Sequence, residues 1–298
     1  MRYDIVLFIP PERFRQWKRC LKKLNGILIE NGLRSTTMPI MSWTPNVSCA
    51  ISFGLGGSKP STKRGRIIGA LMKHQRQSGD RHIVYDLGYI HNRPEYWSVC
   101  WNDLNGRGDF CNENMDDKRV KEWGIELQPW RCVDDGYVLF CLQLPWDAAV
   151  INTNYIKYVE STVEEMLSKT NRKIVIREHP LLRKKKDKRA VKLIRLVNKI
   201  SKKDRVSISK TKKLTDDLEG AWCVVSCNSN STVEAAIYGV PSFVSDIGSM
   251  SWDVSGHDLD IENPIRPERN QWLYNLSYAQ WTMDEISKGY PFKQLGVI

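Results

Sequence analysis

The strongest limit on the fold comes from five short apolar runs in the second half of the chain: 136-GYVLFCLQLP-145, 173-KIVIRE-178, 205-RVSIS-209, 221-AWCVVS-226 and 241-PSFVSD-246. As a set they lack the strict apolar–polar alternation of a strand with one wet face, so they read as strands covered on both sides. Helix-period segments separate them at 152–169, 187–201 and 231–238. In the first of these, Tyr155, Tyr158, Val159, Thr162, Met166 and Leu167 fall largely on one face. Strand and helix in alternation predict a parallel sheet sandwiched by helices. The first half repeats the pattern less regularly, with strands at 3–9, 48–54 and 82–88 and helices at 11–31 and 63–77. An aromatic, Gly- and Asn-rich stretch, 89-YIHNRPEYWSVCWNDLNGRGDF-110, reads as a long functional loop, and 111–135 as a polar link. The expected class is α/β, with two Rossmann-like domains, 1–134 and 135–298, whose parallel sheets face each other, and with a C-terminal helix at 280–290 that crosses back.

Composition narrows the class of function. With 298 residues, 41% hydrophobic and 27% charged, the chain can bury two ordinary cores. No apolar run approaches the roughly 20 residues that span a bilayer. The N-terminal MRYDIVLFIPPERFRQW has too short an apolar stretch for a signal peptide, so a cytoplasmic protein is expected. The eight cysteines form no CxxC pair and no metal-site spacing, so no metal is expected, and Cys49, Cys141 and Cys223 read as core thiols. The formal net charge of +11 gathers in 59-KPSTKRGR-66, 183-RKKKDKR-189 and 199-KISKKDR-205, with Lys210, Lys212 and Lys213 close behind. Such clusters either solvate a helix face or attract nucleic acid, an anionic membrane or a phosphorylated substrate.

Ligands of open α/β sheets bind beyond the C-terminal strand ends, so the residues just past each strand are the first candidates for a site. After 221–226 comes a crowd of short polar residues. Ser229, Asn230, Ser231 and Thr232 read either as a richly capped helix start or as a phosphate seat, with Glu234 one turn in, within reach of a ribose. After 173–178 come His179 and Pro180, with Arg177 two residues earlier as a second cation. An imidazole there can donate to a phosphate and offset leaving-group charge. Asp86 closes strand 82–88 beside Gly88, as a general base or as a turn cap. Gln143 and Asp147 come after the strand at 136 and either line the same crevice or belong to the loop.

In sequence order, VYDLGYI, VLFCLQLPWDAAV, IREHP, CNSNSTVEAAIYGVPSFV and SMSWD resemble the motifs of the capsule-polysaccharide Kdo-transferase family, over islands between residues 80 and 290. Bacterial sialyltransferases share the acidic Asp-Gly, His-Pro and Ser/Thr elements. The stretches 101-WNDLNGRGDF-110 and 277-SYAQWTMDEISKGYPF-292 also look like glycosyltransferase-like proteins of phage genomes. The resemblance implies a GT-B fold, a nucleotide-sugar donor (CMP- or UDP-linked) held mainly by the C-terminal domain, and inverting transfer that needs no metal or other cofactor. It makes Asp86 the catalytic base and His179 a catalytic phosphate ligand. It adds the turn Ser229, Asn230, Ser231 and Thr232 as phosphate ligands, and Gln143, Asp147, Arg177 and Glu234, placed past the strand ends, are the further candidates for the donor site. This chain departs from the family pattern in carrying Leu87 between Asp86 and Gly88, and Glu178 before His179.

For the acceptor, cations interleaved with aromatics in the first half suit nucleic acid. Lys59, Lys63, Arg64, Arg66, Arg93, Tyr96, Trp97, Trp101 and Arg107 are the candidates. The expected reaction is glycosylation of a hydroxylated or hydroxymethylated pyrimidine in phage-type double-stranded DNA. The alternatives are a surface or capsule polysaccharide glycosyltransferase, and a catalytically inactive GT-B protein that binds nucleotide or nucleic acid.

Overall fold

A computed structural model of the protein describes residues 3–9, 15–43, 47–54, 63–90, 95–150, 153–184 and 187–298. Its contacts divide it into two compact units, Met1–Trp123 with Leu273–Ile298, and Gly124–Trp272. Residues 124–134 thus belong to the second unit, and 273–298 return to the first.

The first unit holds β1 (Tyr3–Ile9), α1 (Arg15–Glu30), β2 (Ser35–Pro39), β3 (Val47–Phe53), α2 (Lys63–Ser78), β4 (Arg81–Leu87), β5 (Tyr96–Trp101) and α3 (Lys118–Glu122). Its sheet runs β11-β5-β4-β3-β1-β2, where β11 (Gln280–Thr282) comes from the C-terminal stretch. Strands β1 to β4 pair in parallel, whereas β5 is antiparallel to both β4 and β11. The stretch 89–110, expected as a loop, therefore supplies a buried strand. Trp97, Val99 and Trp101 join the main apolar cluster on one face, and Ser98 and Cys100 are buried on the other.

Helix α1 packs through a stripe at spacings of four, three and four. Trp17, Leu21, Leu24 and Leu28 are at most 1% exposed. Trp17 stacks on Tyr85 with centroids 4.2 Å apart and meets Trp97 edge-on at 4.7 Å. Each buried leucine contributes about 2 kcal/mol of transfer free energy, so truncating Leu24 to alanine would cost roughly 2–5 kcal/mol. After β11 come α9 (Met283–Ser287) and α10 (Tyr290–Gln294). A capping box starts α9: the Thr282 hydroxyl accepts from the Glu285 N–H while the Glu285 carboxylate accepts from the Thr282 N–H. Trp281, Ile286 and Phe292 complete the same apolar cluster as α1.

The second unit holds β6 (Tyr137–Cys141), α4 (Tyr155–Lys169), β7 (Ile174–Arg177), α5 (Lys188–Ile200), β8 (Val206–Ile208), α6 (Leu214–Leu218), β9 (Ala221–Ser226), α7 (Ser231–Tyr238) and β10 (Ser242–Val244). The sheet runs β10-β9-β6-β7-β8, all parallel. Residues of opposite parity on β6 feed two cores: Val138 and Phe140 pack with α4 and α5, and Leu139 and Cys141 with α6 and α7. Gly239 ends α7 at φ +83°, where an added Cβ would strike the Pro129 carbonyl oxygen, so neither the turn nor the neighbouring chain admits a side chain. Helix α8 (Asn270–Ser277) carries the chain from the second unit into the first.

Candidate active site

Parallel pairing brings the C-terminal ends of β6, β7, β9 and β10 to one edge of the second unit's sheet. Asn228 ties three of them together. Its backbone N–H donates to Gln143 Oε1 (3.1 Å), and its Oδ1 accepts from Gln143 Nε2 (2.6 Å). Its Nδ2 donates to Ala149 O and to Asp246 Oδ1, both at 2.9 Å. Both Asn228 and Gln143 are buried, so their amides are the framework under the site. Sequence reasoning selected Gln143 but passed over Asn228 and Asp246. The signal was present in CNSN, read one residue too late.

The turn into α7 is closed by its own residues. The N–H groups of Ser231 and Thr232 donate to Ser229 Oγ (3.3 Å) and Ser229 O (3.1 Å), and that of Val233 to Asn230 O (3.1 Å). The N–H groups expected to face a phosphate are thus engaged within the turn, and the half-buried hydroxyls of Ser229 and Ser231 bond each other, with Ser229 Oγ donating to Ser231 Oγ (3.2 Å). Thr232 differs from expectation. It is 0% exposed, donates to Ser229 O (2.7 Å) and accepts from Ser251 Oγ (2.7 Å). A chain of buried hydroxyls continues through Ser255 to Ser242, so SMSWD supports α7 from beneath. Glu234 is exposed on the first turn of α7.

Arg177 is also placed differently from expectation. Its Nη1 lies 2.5 Å from Asp217 Oδ2, with further donation to Thr211 Oγ1 (2.9 Å) and Lys212 O (3.0 Å). The pair is nearly enclosed, at 13% and 3% side-chain exposure, so the guanidinium braces the end of β7 and is not presented to a ligand. His179 is half-buried two residues on. Its Nδ1 accepts from the Leu181 N–H (3.1 Å), which puts the proton of the neutral ring on Nε2, the nitrogen that can donate. Both oxygens of Glu178 accept from one edge of the Arg183 guanidinium, from Nε at 2.6 Å and Nη2 at 2.9 Å. Asp147 is exposed and accepts from the Ala149 N–H (3.1 Å), heading a short turn at 148–150.

In the first unit, Asp86 stands at the C-terminal end of β4, half-buried, with Oδ1 accepting from the Leu87 N–H (2.7 Å). Gly54, at the neighbouring end of β3, approaches it closely: an added Cβ would lie 3.7 Å from Asp86 Oδ2. The turn after Asp86 is held from far along the chain. Gln280 Oε1 accepts from the N–H groups of Tyr89 (2.6 Å) and Ile90 (2.9 Å), and its Nε2 donates to Ile90 O (2.6 Å). A Cβ on Gly88 would lie 2.9 Å from that Oε1 and 3.0 Å from Tyr96 Cβ, which explains why glycine comes after the Asp-Leu pair. Gln280 is in turn fixed by Arg119, whose Nη2 donates to Gln280 O (2.8 Å) and whose Nη1 pairs with Glu285 (2.7 Å).

Of the residues expected to contact nucleic acid, Trp97 and Trp101 are corrected to core residues. Both are under 10% exposed, and the Trp101 indole N–H donates to Leu295 O (3.1 Å). Tyr96 is half-buried and edge-on to Trp123. Lys63, Arg66 and Arg107 are exposed, whereas Lys59, Arg93 and the Arg64 side chain lie outside the described residues. Among the described residues no cluster of three His, Cys, Asp or Glu side chains is placed to hold a metal ion, and no helix is long and apolar enough to cross a membrane.

Two solved structures match nearly the whole chain. The beta Kdo 2,4 transferase of Thermosulfurimonas dismutans KpsC matches with TM-score 0.56 at 11% identity, over 93% of this chain and 90% of that one. The beta Kdo 2,7 transferase of the same KpsC matches with TM-score 0.54 at 13% identity, over 99% of both chains. The fold is GT-B. No family profile and no curated protein sequence matches the chain. Neither match lends support to a DNA acceptor or to a phage origin.

Proposed function

We propose that the protein is a GT-B glycosyltransferase that moves a sugar from a nucleotide-sugar donor to a hydroxyl of a glycan. The observation that carries this reading is the set of polar groups at the C-terminal strand ends: Asp86 on β4, His179 after β7, and Ser229 and Ser231 after β9. The two matched structures support a glycan acceptor over a DNA base, since both are Kdo transferases by description. Burial of Trp97 and Trp101 removes two of the three aromatics on which the DNA argument rested.

In the proposed reaction the Asp86 carboxylate takes the proton of the acceptor hydroxyl. The acceptor oxygen then bonds to the anomeric carbon as the bond from that carbon to the donor phosphate oxygen breaks, which inverts the centre. The departing nucleotide phosphate carries the electron pair away. His179 Nε2–H and the hydroxyls of Ser229 and Ser231 stabilise its charge. Gln143, Asn228 and Thr232 hold the seat, and Arg177 holds the strand that delivers His179. Asp147, Asn230 and Glu234 are exposed or half-buried at the same sheet edge and complete the donor site. No step requires a metal ion.

The test is release of free nucleotide from a panel of CMP- and UDP-sugars, with oligosaccharide and hydroxymethylated duplex DNA as alternative acceptors. Glycan-dependent turnover that falls at least a hundredfold in Asp86→Asn, with donor affinity kept, is expected. His179→Ala should lower turnover as well. Transfer to DNA alone would sink the glycan reading, and an unchanged Asp86→Asn would remove Asp86 as base.

A further inference from the structure

Helix α5 is amphipathic in an unequal way. Ala190, Leu193, Leu196, Val197 and Ile200 are buried in the core of the second unit. On the opposite side Lys188, Lys192, Arg195 and Lys199 recur at spacings of four, three and four, with Lys202 three residues on. All five are exposed, and the four on the helix itself fall within about a sixth of its circumference at 100° per residue. Val191 sits among them and is 45% exposed. The acidic groups nearby are few. Glu160 of α4 lies 3.5 Å from Lys199, Glu164 lies 3.5 Å from Lys203, and Asp187 is engaged by Arg189 at the start of the helix. The result is a line of positive charge about 17 Å long, from Lys188 to Lys199, on a helix whose other face is fixed in the core.

We propose that this face of α5 docks the protein onto an anionic lipid bilayer. The chemistry of the stripe favours that occupant over nucleic acid. A helix that reads duplex DNA projects far enough to enter a groove, whereas α5 lies packed along its sheet and offers a flat line of charges. Val191, beside the line near its N-terminal end, gains nothing from phosphates but gains from the apolar interface below lipid headgroups. Anionic headgroups attract juxtaposed lysine and arginine additively, and the attraction fades with salt. Docking through α5 requires no turnover and is independent of sugar transfer.

The test is cosedimentation of the full chain with vesicles of phosphatidylcholine, with and without phosphatidylglycerol, at low and high salt. A Lys192→Gln/Arg195→Gln/Lys199→Gln variant is compared with a Lys18→Gln/Lys22→Gln/Lys23→Gln variant, which removes the same charge from exposed positions of α1. Unfolding midpoints confirm that both variants keep the fold. The wild type should bind only the anionic vesicles, weakly at high salt. The α5 variant should lose roughly a hundredfold in partitioning, about fivefold per cation, while the α1 variant stays within a few-fold of wild type. No binding to anionic vesicles at low salt overturns the proposal, as does an equal loss in both variants. Binding to duplex DNA that depends on the α5 stripe, with no binding to vesicles, overturns it in favour of a nucleic-acid surface.

Discussion

Gln280 makes three buried hydrogen bonds to the turn after Asp86, and its side chain reaches that turn from about 190 residues away. Replacing it with methionine keeps the volume and removes all three partners. Two N–H groups and one carbonyl would then be buried without a bond, at about 1–3 kcal/mol each. Some relaxation of the turn lowers the sum, so a loss of roughly 3–6 kcal/mol is expected, a large share of the 5–15 kcal/mol typical of a domain. Gln280→Glu is the sharper comparison. An introduced carboxylate still accepts from Tyr89 and Ile90, but its second oxygen would face Ile90 O across the present 2.6 Å donor contact. Burial and that carbonyl both favour the protonated form, which raises the folded-state pKa above the usual carboxylic value of about 4.3. Between the two pKa values the folded chain binds a proton that the unfolded chain has released. The stability of Gln280→Glu should therefore rise relative to wild type as pH falls from 7 to 5. Urea unfolding of the three proteins at both pH values reads this directly. A Gln280→Met protein within 0.5 kcal/mol of wild type, or a Gln280→Glu penalty equal at pH 7 and pH 5, would refute the role assigned to Gln280.

Single sites give further expectations. Asp217→Asn leaves the Arg177 guanidinium enclosed without its counter-ion and should cost about 3–5 kcal/mol in denaturant unfolding; a change below 1 kcal/mol would show that the pair is not braced as described. His82 is buried, 2.8 Å from the Ser52 hydroxyl, and burial pushes its pKa down to about 4. Its folded value lies below its unfolded one, so this contribution is full above about pH 6.5 and is lost as pH falls toward 4. Acid titration of the unfolding midpoint should flatten in that window in His82→Gln, and an unchanged slope would remove His82 as a cause. Cys111 and Cys132 are the exposed thiols, while burial pushes Cys20, Cys49 and Cys141 up to about 12. A thiol reagent should thus label two of the eight cysteines in the native state and the rest only on unfolding; rapid labelling of a third would contradict the burial pattern. Gly88→Ala forces contact with Gln280 Oε1 and the Tyr96 backbone, and should reduce turnover more than it reduces donor affinity, measured as kcat against KM.

The alternation of apolar strands with helices was readable because parallel strands buried on both faces leave a local signature, as AWCVVS and YVLFC do. The turn at Ser229 was readable for the same reason, since it comes directly after such a strand. What the sequence hid depends on distant partners. YWSVCW reads as a polar aromatic loop until β4 and β11 flank it, and β11 arrives from the far end of the chain. Arg177 looks like an anion ligand until Asp217, 40 residues on, is found to occupy it. Thr232 looks like part of a phosphate seat until Ser251 is found beneath it. In each case the residue type announces a strong polar interaction, and only the tertiary fold decides whether its partner is another side chain or a ligand.

The return of residues 273–298 to the first unit sets an order of events during synthesis. The second unit is one contiguous stretch, so its sheet can close as soon as Trp272 leaves the ribosome. The first unit, although most of it is made earlier, waits for β11, α9 and α10. Until they arrive, β5 is an open edge strand carrying Trp97 and Trp101, and α1 lacks the apolar cover of Trp281, Ile286 and Phe292. The nascent chain therefore carries a finished domain behind an unfinished one, and the unfinished edge is the segment most exposed to strand pairing between chains and to chaperone capture.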